Sequence, residues 1–338
     1  MTTVKLWQGT AIPRLGMGCW AIGGPFKRGD QEIGWGKVDD AVSIAAIRRA
    51  VDLGIRYFDT ADVYGASHSE KVLAEALAGM DEEIFISTKF GNTFDATARR
   101  LTGTGDTPDY IRSAIDGSLR RLHKERLDLV FFHLRDHPME RSAPVFETLA
   151  DLRAEGKIAA FGWSTDDVQR AEAFADMDGF VSVQHDMNLL HPSSARAPTS
   201  PASEMIRLVA AKNLVAVARQ PLAMGLLTGG FRMNEQRFAA DDLRADGPEW
   251  LSYFVNGRPN PNLLAKVEAV RELLSTDGRT VAQGALAWIW AKSPLVVPIP
   301  GFRNVRQVEE NAGGLDKGPL SADVMAEIDR VMAVKVGA

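Results

Sequence analysis

Along most of this chain, short apolar runs alternate with stretches whose apolar positions recur at three- and four-residue spacing. The runs predict strands near 15–20, 54–59, 84–88, 127–133, 158–163, 180–184, 214–218 and 295–299. The stretches between them predict helices near 40–53, 69–78, 108–123, 142–155, 166–175, 202–212 and 262–292, the last interrupted around Asp277-Gly278. Consecutive strands joined by a helix cannot form a hairpin, so each pair is expected to run parallel through a crossover. Eight such strands with no break in composition predict a single (β/α)8 TIM barrel.

Local signals sharpen several boundaries. Thr107-Pro108 reads as an N-cap followed by proline at the first helical position, and Gly156 reads as a helix terminus after Arg153. Gln8-Gly9, within Leu6 to Ile12, predicts the turn of a small N-terminal β-hairpin. Three long stretches lack periodicity: Gly23 to Lys37, His191 to Pro201 and Gly229 to Asn260. Each would follow a barrel strand and so lie on the catalytic face, where long loops serve as lids or binding loops.

Candidate chemistry sits at the predicted strand ends. Asp59 closes the run Ile55 to Phe58, Lys89 closes Ile84 to Thr88, and His133 closes Leu127 to Phe132, with Tyr64 five residues beyond Asp59. Taken singly, Asp59 reads as a helix N-cap, Tyr64 as a packing residue and Lys89 as a solvated surface group. Unrelated structural causes would have to coincide on successive strands to give all four. A phenol with an ordinary pKa of about 10 is a poor acid at neutral pH unless its anion is stabilised. An ammonium does that, and a carboxylate behind it keeps the ammonium charged and oriented. The pattern therefore predicts Tyr64 as general acid, Lys89 as its tuner, Asp59 as support and His133 as the group that orients a substrate oxygen or assists proton movement. No side chain donates hydride, so a carbonyl reduction at this site needs a cofactor.

The segments Asp59-Thr-Ala-Asp-Val-Tyr64-Gly and Ser87-Thr-Lys89, with His133 after the fourth strand, resemble the aldo-keto reductase family. The resemblance runs from about Arg14 to Asn311, leaving a 3–13 hairpin and a 312–338 helical tail around the 14–311 core of one domain. It implies NADPH-dependent reduction of an aldehyde or ketone, with NADPH/NADP+ held extended across the barrel mouth and no Rossmann domain. It also implies cofactor contacts at Gly18, Cys19, Trp20 and Asp59, and at Ser164, Thr165 and Gln184 after strands five and six. Arg219, Gln220, Pro221, Leu222, Gly225 and Leu226 resemble the segment that clasps the pyrophosphate. Ile299, Gly301, Arg303, Gln307, Glu310 and Asn311 open a helix after strand eight, where a helix N-terminus and an arginine suit a 2′-phosphate. Two positions depart from the common pattern: Thr165 where many relatives carry asparagine, and Arg219 where many carry an aromatic that stacks on nicotinamide. Trp20, Phe26, Trp35, Phe90 and Trp250 are expected to form an aromatic substrate wall beside Tyr64 and His133.

Composition narrows the alternatives. Apolar and charged contents of 45% and 25% are those of an ordinary globular protein. A net charge of -5 gives no general attraction for nucleic acid or an acidic membrane. Cys19 is the single cysteine, so no intrachain disulfide or cysteine metal cluster can form. His133, Asp136 and His137, and likewise His185, Asp186 and His191, offer metal-ligand types but at no recognised zinc spacing, so no metal is expected. No run approaches the ~18 to 20 apolar residues of a membrane span and the N-terminus lacks a signal core, so a cytoplasmic enzyme acting on a small carbonyl compound is the expectation. Competing readings are a Schiff-base role for Lys89, a cofactor-sensing accessory subunit, and an NADP-dependent sugar or polyol dehydrogenase.

Overall fold

The computed structural model describes the chain except residues 1–2, 8, 81–82, 192–198, 233–237 and 334–338. Its centre is one parallel eight-stranded sheet in sequential order. The strands are β1 (Met17–Gly18), β2 (Tyr57–Asp59), β3 (Phe85–Phe90), β4 (Leu129–Phe132), β5 (Phe161–Ser164), β6 (Phe180–Asp186), β7 (Val215–Arg219) and β8 (Val296–Pro298). The sheet curls until its edges meet: the Gly16 and Gly18 N–H groups donate to Pro298 O and Pro300 O, each at 3.0 Å. Glycine is required at this seam, because a Cβ at Gly18 would stand 2.8 Å from Ile299 O.

Around the sheet lie α1 (Asp40–Asp52), α2 (His68–Leu77), α3 (Pro108–Leu122), α4 (Ala143–Ala154), α5 (Val168–Phe174), α6 (Pro201–Ala211), α7 (Pro261–Leu274), α8 (Val281–Lys292), α9 (Val305–Ala312) and α10 (Ala322–Ala333). α9 packs on α1 and completes the helical layer where β8 meets β1. Thr107 caps α3 by accepting from Tyr110 N, with Pro108 in the first turn. The predicted break at Asp277-Gly278 is a short 3-10 turn, after which Thr280 and Gln283 form a reciprocal capping box that restarts the chain as α8.

A hairpin of Thr3–Lys5 and Ala11–Pro13 closes the N-terminal end of the barrel; the turn residue Gln8 lies outside the described residues. Val4, Leu6 and Ile12 pack there against the inward side chains Tyr57, Leu129, Val217 and Val297. Each such burial is worth about 1.5–3 kcal/mol relative to exposure. The plug leaves the opposite end as the open face.

The structure departs from the sequence expectations mainly at that open face. Only two residues of the 15–20 run keep regular pairing. The Gly23 to Lys37 stretch is not irregular throughout. Lys27–Arg28 and Gln31–Glu32 pair with each other, and Lys27–Arg28 joins a second hairpin, Asn92–Asp95 with Arg100–Thr104, in a four-stranded sheet. Strands this short and this charged show no two-residue hydrophobic alternation, which is why the pattern hid them. Within Gly229 to Asn260 a small hairpin pairs Phe254–Val255 with Arg258–Pro259, while residues 233–237 lie outside the described residues. Most of His191 to Pro201 also lies outside them. Among the described residues, no helix is long and apolar enough to cross a membrane.

Candidate active site

Parallel register aligns Asp59 with Ser87, and Lys89 stands two residues further along β3, on the same face. The Lys89 ammonium donates to Asp59 Oδ2 at 2.6 Å, to Thr60 O at 2.6 Å and to the Tyr64 hydroxyl at 3.2 Å. Asp59 Oδ1 accepts from Ser87 Oγ at 2.7 Å and from Gln184 Nε2 at 2.8 Å, so both carboxylate oxygens are committed. Ser164 Oγ in turn donates to Gln184 Oε1 at 3.1 Å. Lys89 and Asp59 are buried. Tyr64 sits on the turn after β2, held by Gly65, whose positive φ of 59° lets the turn pass against the Gly23 carbonyl.

Burial works against charge on Lys89, yet the Asp59 carboxylate, the Tyr64 phenol and the hydrogen bonds to both outweigh it and raise its pKa. The same burial raises the Tyr64 phenol, with Lys89 pulling the other way. Lys89 therefore offsets part of the cost of forming the phenolate without making Tyr64 an acid stronger than free tyrosine. His133 lies just past β4, its ring centre 6.0 Å from that of Tyr64, and its Nδ1 is buried without a partner. Burial first, then Lys89 and Arg219, hold its pKa well below the ordinary value, so the imidazole is neutral.

Tyr64 and His133 face a cavity of about 880 Å3 that extends to α9. Trp20 stacks on Tyr64 at 5.9 Å and 22°, and Trp35 and Trp250 contact the Trp20 ring from other sides. Phe26 also lines the cavity. Phe90 does not: its ring stacks on Phe132 at 5.4 Å inside the core, because its position on β3 points outward into the helical layer. Asn92, Asp106 and Arg141 do line the cavity, although no motif marked them. His137, one of the residues weighed as a metal ligand, bonds Ser142 Oγ at 2.8 Å and Asp106 Oδ2 at 3.0 Å.

Arg219, at the end of β7, is clamped between two carboxylates. It donates to Asp166 Oδ2 at 2.5 Å and lies 2.8 Å from Asp186 Oδ2, while its Nε is buried without a partner. Asp186 pairs with Arg219 in the β6–β7 ladder, and its N–H donates to Asp166 Oδ1 at 2.7 Å. Burial raises the Asp186 carboxyl and Arg219 opposes it; at Asp166 burial also raises, but Arg219 together with the Asp186 N–H, His185 and His191 outweighs it and the pKa falls. Asp166 and Asp186 stand two residues beyond Ser164 and Gln184, but no motif marked them as partners of Arg219.

The residues at the other end of the cavity fit a large phosphorylated ligand. Its volume lies toward the top of the ~300–1,000 Å3 range of ordinary ligand pockets. Asn304 caps α9, and Gly301, Arg303, Gln307, Glu310 and Asn311 line the wall, with Asn311 Nδ2 buried and unpartnered. Arg303 donates to Lys37 O at 2.7 Å. Lys37 N donates to Asp241 at 3.0 Å, and Leu243 N donates to Gly34 O at 2.9 Å, so the loops after β1 and β7 clasp one another over the mouth. Gly18, Ile299, Gln220, Pro221, Leu222 and Gly225 also border the cavity, whereas Cys19, Thr165, Gln184 and Leu226 do not reach it. The Thr165 hydroxyl donates instead to Arg135 O at 2.8 Å, so the departure from asparagine is absorbed by loop structure.

The plugged (β/α)8 barrel thus carries a buried carboxylate–ammonium pair in contact with a phenol at its open mouth. A family model described as Aldo/keto reductase family matches residues 14–333, and the chain belongs to that family. It is 28% identical over 324 residues to aldo-keto reductase yakc of Schizosaccharomyces pombe, whose name specifies NADP(+), covering 94% of this chain and 87% of that protein. It is 30% identical over 316 residues to the protein named Probable aldo-keto reductase 1 of Glycine max, covering 91% and 82%. The solved glycerol dehydrogenase AKR11B4 from Gluconobacter oxydans superposes with a TM-score of 0.81 at 28% identity, covering 99% of this chain and 96% of that one.

Proposed function

We propose that the protein reduces an aldehyde or ketone to an alcohol using NADPH, with Tyr64 as general acid. The observation that carries the reading is the Tyr64 hydroxyl 3.2 Å from a buried ammonium that Asp59 holds at 2.6 Å. Bound NADPH would supply the hydride that reaches the carbonyl carbon. Tyr64 gives its proton to the carbonyl oxygen, and Lys89 stabilises the phenolate that remains. Asp59, fixed by Ser87 and Gln184, keeps Lys89 aimed at that oxygen. Neutral His133 keeps one ring N–H with which to orient the same carbonyl. Trp20, Trp35 and Trp250 give the substrate an apolar wall and exclude water from the reacting atoms. Gly301, Arg303, Gln307 and Asn311 would hold the adenosine phosphate end, and Ser164 with Arg219 the nicotinamide end.

The test is NADPH oxidation across a panel of small aldehydes and ketones, with Tyr64→Phe alongside. Turnover by the wild type and its loss in a variant that still binds NADPH is the expected result. No turnover with any carbonyl compound would refute the reading. The likeness to a glycerol dehydrogenase favours a second reading, NADP+-linked oxidation of a polyol at the same site. Comparing NADP+ reduction by polyols with NADPH oxidation by carbonyls at neutral pH separates the two.

A further inference from the structure

Six arginines border the cavity, and five of them are held by other groups of the protein. Arg135, Arg141, Arg219 and Arg244 pair with Asp136, Asp106, Asp166 and Asp242 respectively. Arg303 lies at the α9 end and donates to Lys37 O. The sixth, Arg28, has no hydrogen-bond or ion-pair partner for its guanidinium among the described residues.

Strand register brings Arg28 to the cavity. In the four-stranded sheet of the roof it stands beside Leu101, while Lys27 stands beside Arg100 and pairs with Glu32 at 2.8 Å. Ile33 N donates to Phe26 O at 2.8 Å, which carries the pairing back to Phe26 and, by alternation, gives Phe26 and Arg28 the same face. Phe26 packs with Ile33, Phe94 and Leu101 in an apolar cluster that also touches Tyr64. A single guanidinium thus sits at the edge of an apolar surface, about 7 Å along the strand from Phe26.

The acids around Arg28 are already engaged. Asp30 lies 3.9 Å from Arg100, Glu32 is with Lys27, and Asp95 Oδ1 accepts from Thr97 N and Ala98 N. Across the cavity Asp106 is shared by His137 and Arg141, and Asp136 pairs with Arg135, which also lies 4.0 Å from Asp166.

We infer that Arg28 is a specificity-determining residue, and that the substrate carries an anionic group, a carboxylate or a phosphate, a few carbon atoms from its carbonyl. This rests on the proposed carbonyl reduction. The carbonyl meets Tyr64 and His133, the intervening chain runs over Phe26, Ile33 and Leu101, and the anion reaches the guanidinium, whose planar fork matches either group. Arg28 is exposed and screened by solvent, so its contribution falls at the low end for a charge-assisted bond, about tenfold in KM.

The test measures NADPH-dependent turnover of aldehydes of one chain length that end in a carboxylate, a phosphate, a neutral amide or a quaternary ammonium. The wild type should show a KM about tenfold lower for an anionic aldehyde than for the amide, and the larger of the two anionic preferences identifies the group. Arg28→Gln should bring that ratio to about one, Arg28→Glu should turn it toward the quaternary ammonium, and added salt should shrink it in the wild type. Lys27→Gln, on the opposite face of the same strand, should keep the wild-type ratio. A reversal of sign between Arg28→Gln and Arg28→Glu separates a charge contact from loss of structure, which would weaken every substrate alike. A wild type that shows no anionic preference, or one that survives in Arg28→Gln, overturns the inference. A wild type that reduces none of the four aldehydes, nor any other carbonyl compound, refutes the parent reading instead, whereas turnover without preference refutes only this one.

Discussion

The Asp59–Lys89–Tyr64 side of the cavity and its roof are built by opposite means. Asp59, Lys89 and His133 project from barrel strand ends, and each carboxylate oxygen of Asp59 has a donor within 2.8 Å. The roof is made of loops after β1, β3 and β7: the first two share a short four-stranded sheet, and the third joins them through Leu243 N to Gly34 O, Lys37 N to Asp241 and Arg244, which lies over Trp35 and Phe238 and pairs with Asp242 at 2.7 Å. Strand ends are held by ladders on both sides, whereas the loops are held by shorter pairings and individual contacts. On the proposed reading, the groups that hold the reacting phenol sit on the first, and those that would select the substrate sit on the second.

That contrast can be broken most directly at Tyr64. Tyr64→Phe should lower the reductive kcat by about 10²- to 10⁴-fold while the NADPH dissociation constant, read by fluorescence titration, stays within about twofold. A variant keeping a tenth of the wild-type rate would remove Tyr64 from the chemistry. Next comes Lys89→Met, which leaves the Asp59 carboxylate buried without its cation. It should destabilise the fold by about 3–5 kcal/mol in denaturant melts, as no loop substitution should. Arg303→Ala should weaken NADPH by about tenfold and leave NADH nearly unchanged, since a charge-assisted bond is worth about 1.5–3 kcal/mol. Equal weakening of both dinucleotides would take the 2′-phosphate away from Arg303.

The roof should show smaller responses. Asp241→Ala removes the acceptor of Lys37 N and should speed NADPH release a few-fold in stopped-flow traces, with a stability loss of only about 0.5–1.5 kcal/mol. The smallest effect expected is on the acid side of the pH profile. A general acid must be protonated, so reductive kcat is present below the raised Tyr64 pKa and is lost as pH climbs through it. His133 stays neutral well below its ordinary value, so no second limb should appear between about pH 6 and 8. An acid limb near pH 6.5 would show that His133 is charged in the working enzyme.

The barrel and the four polar groups that the structure brings together at its mouth were legible because each depends on local order along the chain. Strand and helix periods differ, Thr107-Pro108 and Gly156 mark helix ends, and a polar residue closing an apolar run such as Leu127 to Phe132 stands out against it. Phe90 shows where that logic stops. It follows Lys89 and looks like part of the mouth, but alternation along β3 turns it into the core beside Phe132. The Arg219 clamp was not read from the sequence: Asp186 was weighed only as a metal-ligand type and Asp166 not at all, because their shared partner depends on how three strands lie side by side. The four-stranded sheet of the roof left no sequence trace, because its strands are short, charged and stabilised by each other.

By itself, then, the sequence determined the strand–helix alternation, the order of the strands, and the identity of the acid, phenol, amine and imidazole at their ends. Only the tertiary structure decided which of those groups touch, that Arg219 is shared by two carboxylates, and that the loops after β1 and β7 clasp over the mouth. The physical reason is range. Hydrophobic period and capping act over a few residues, while a salt bridge between residues 166 and 219, or a backbone bond between residues 34 and 243, exists only once the barrel has closed.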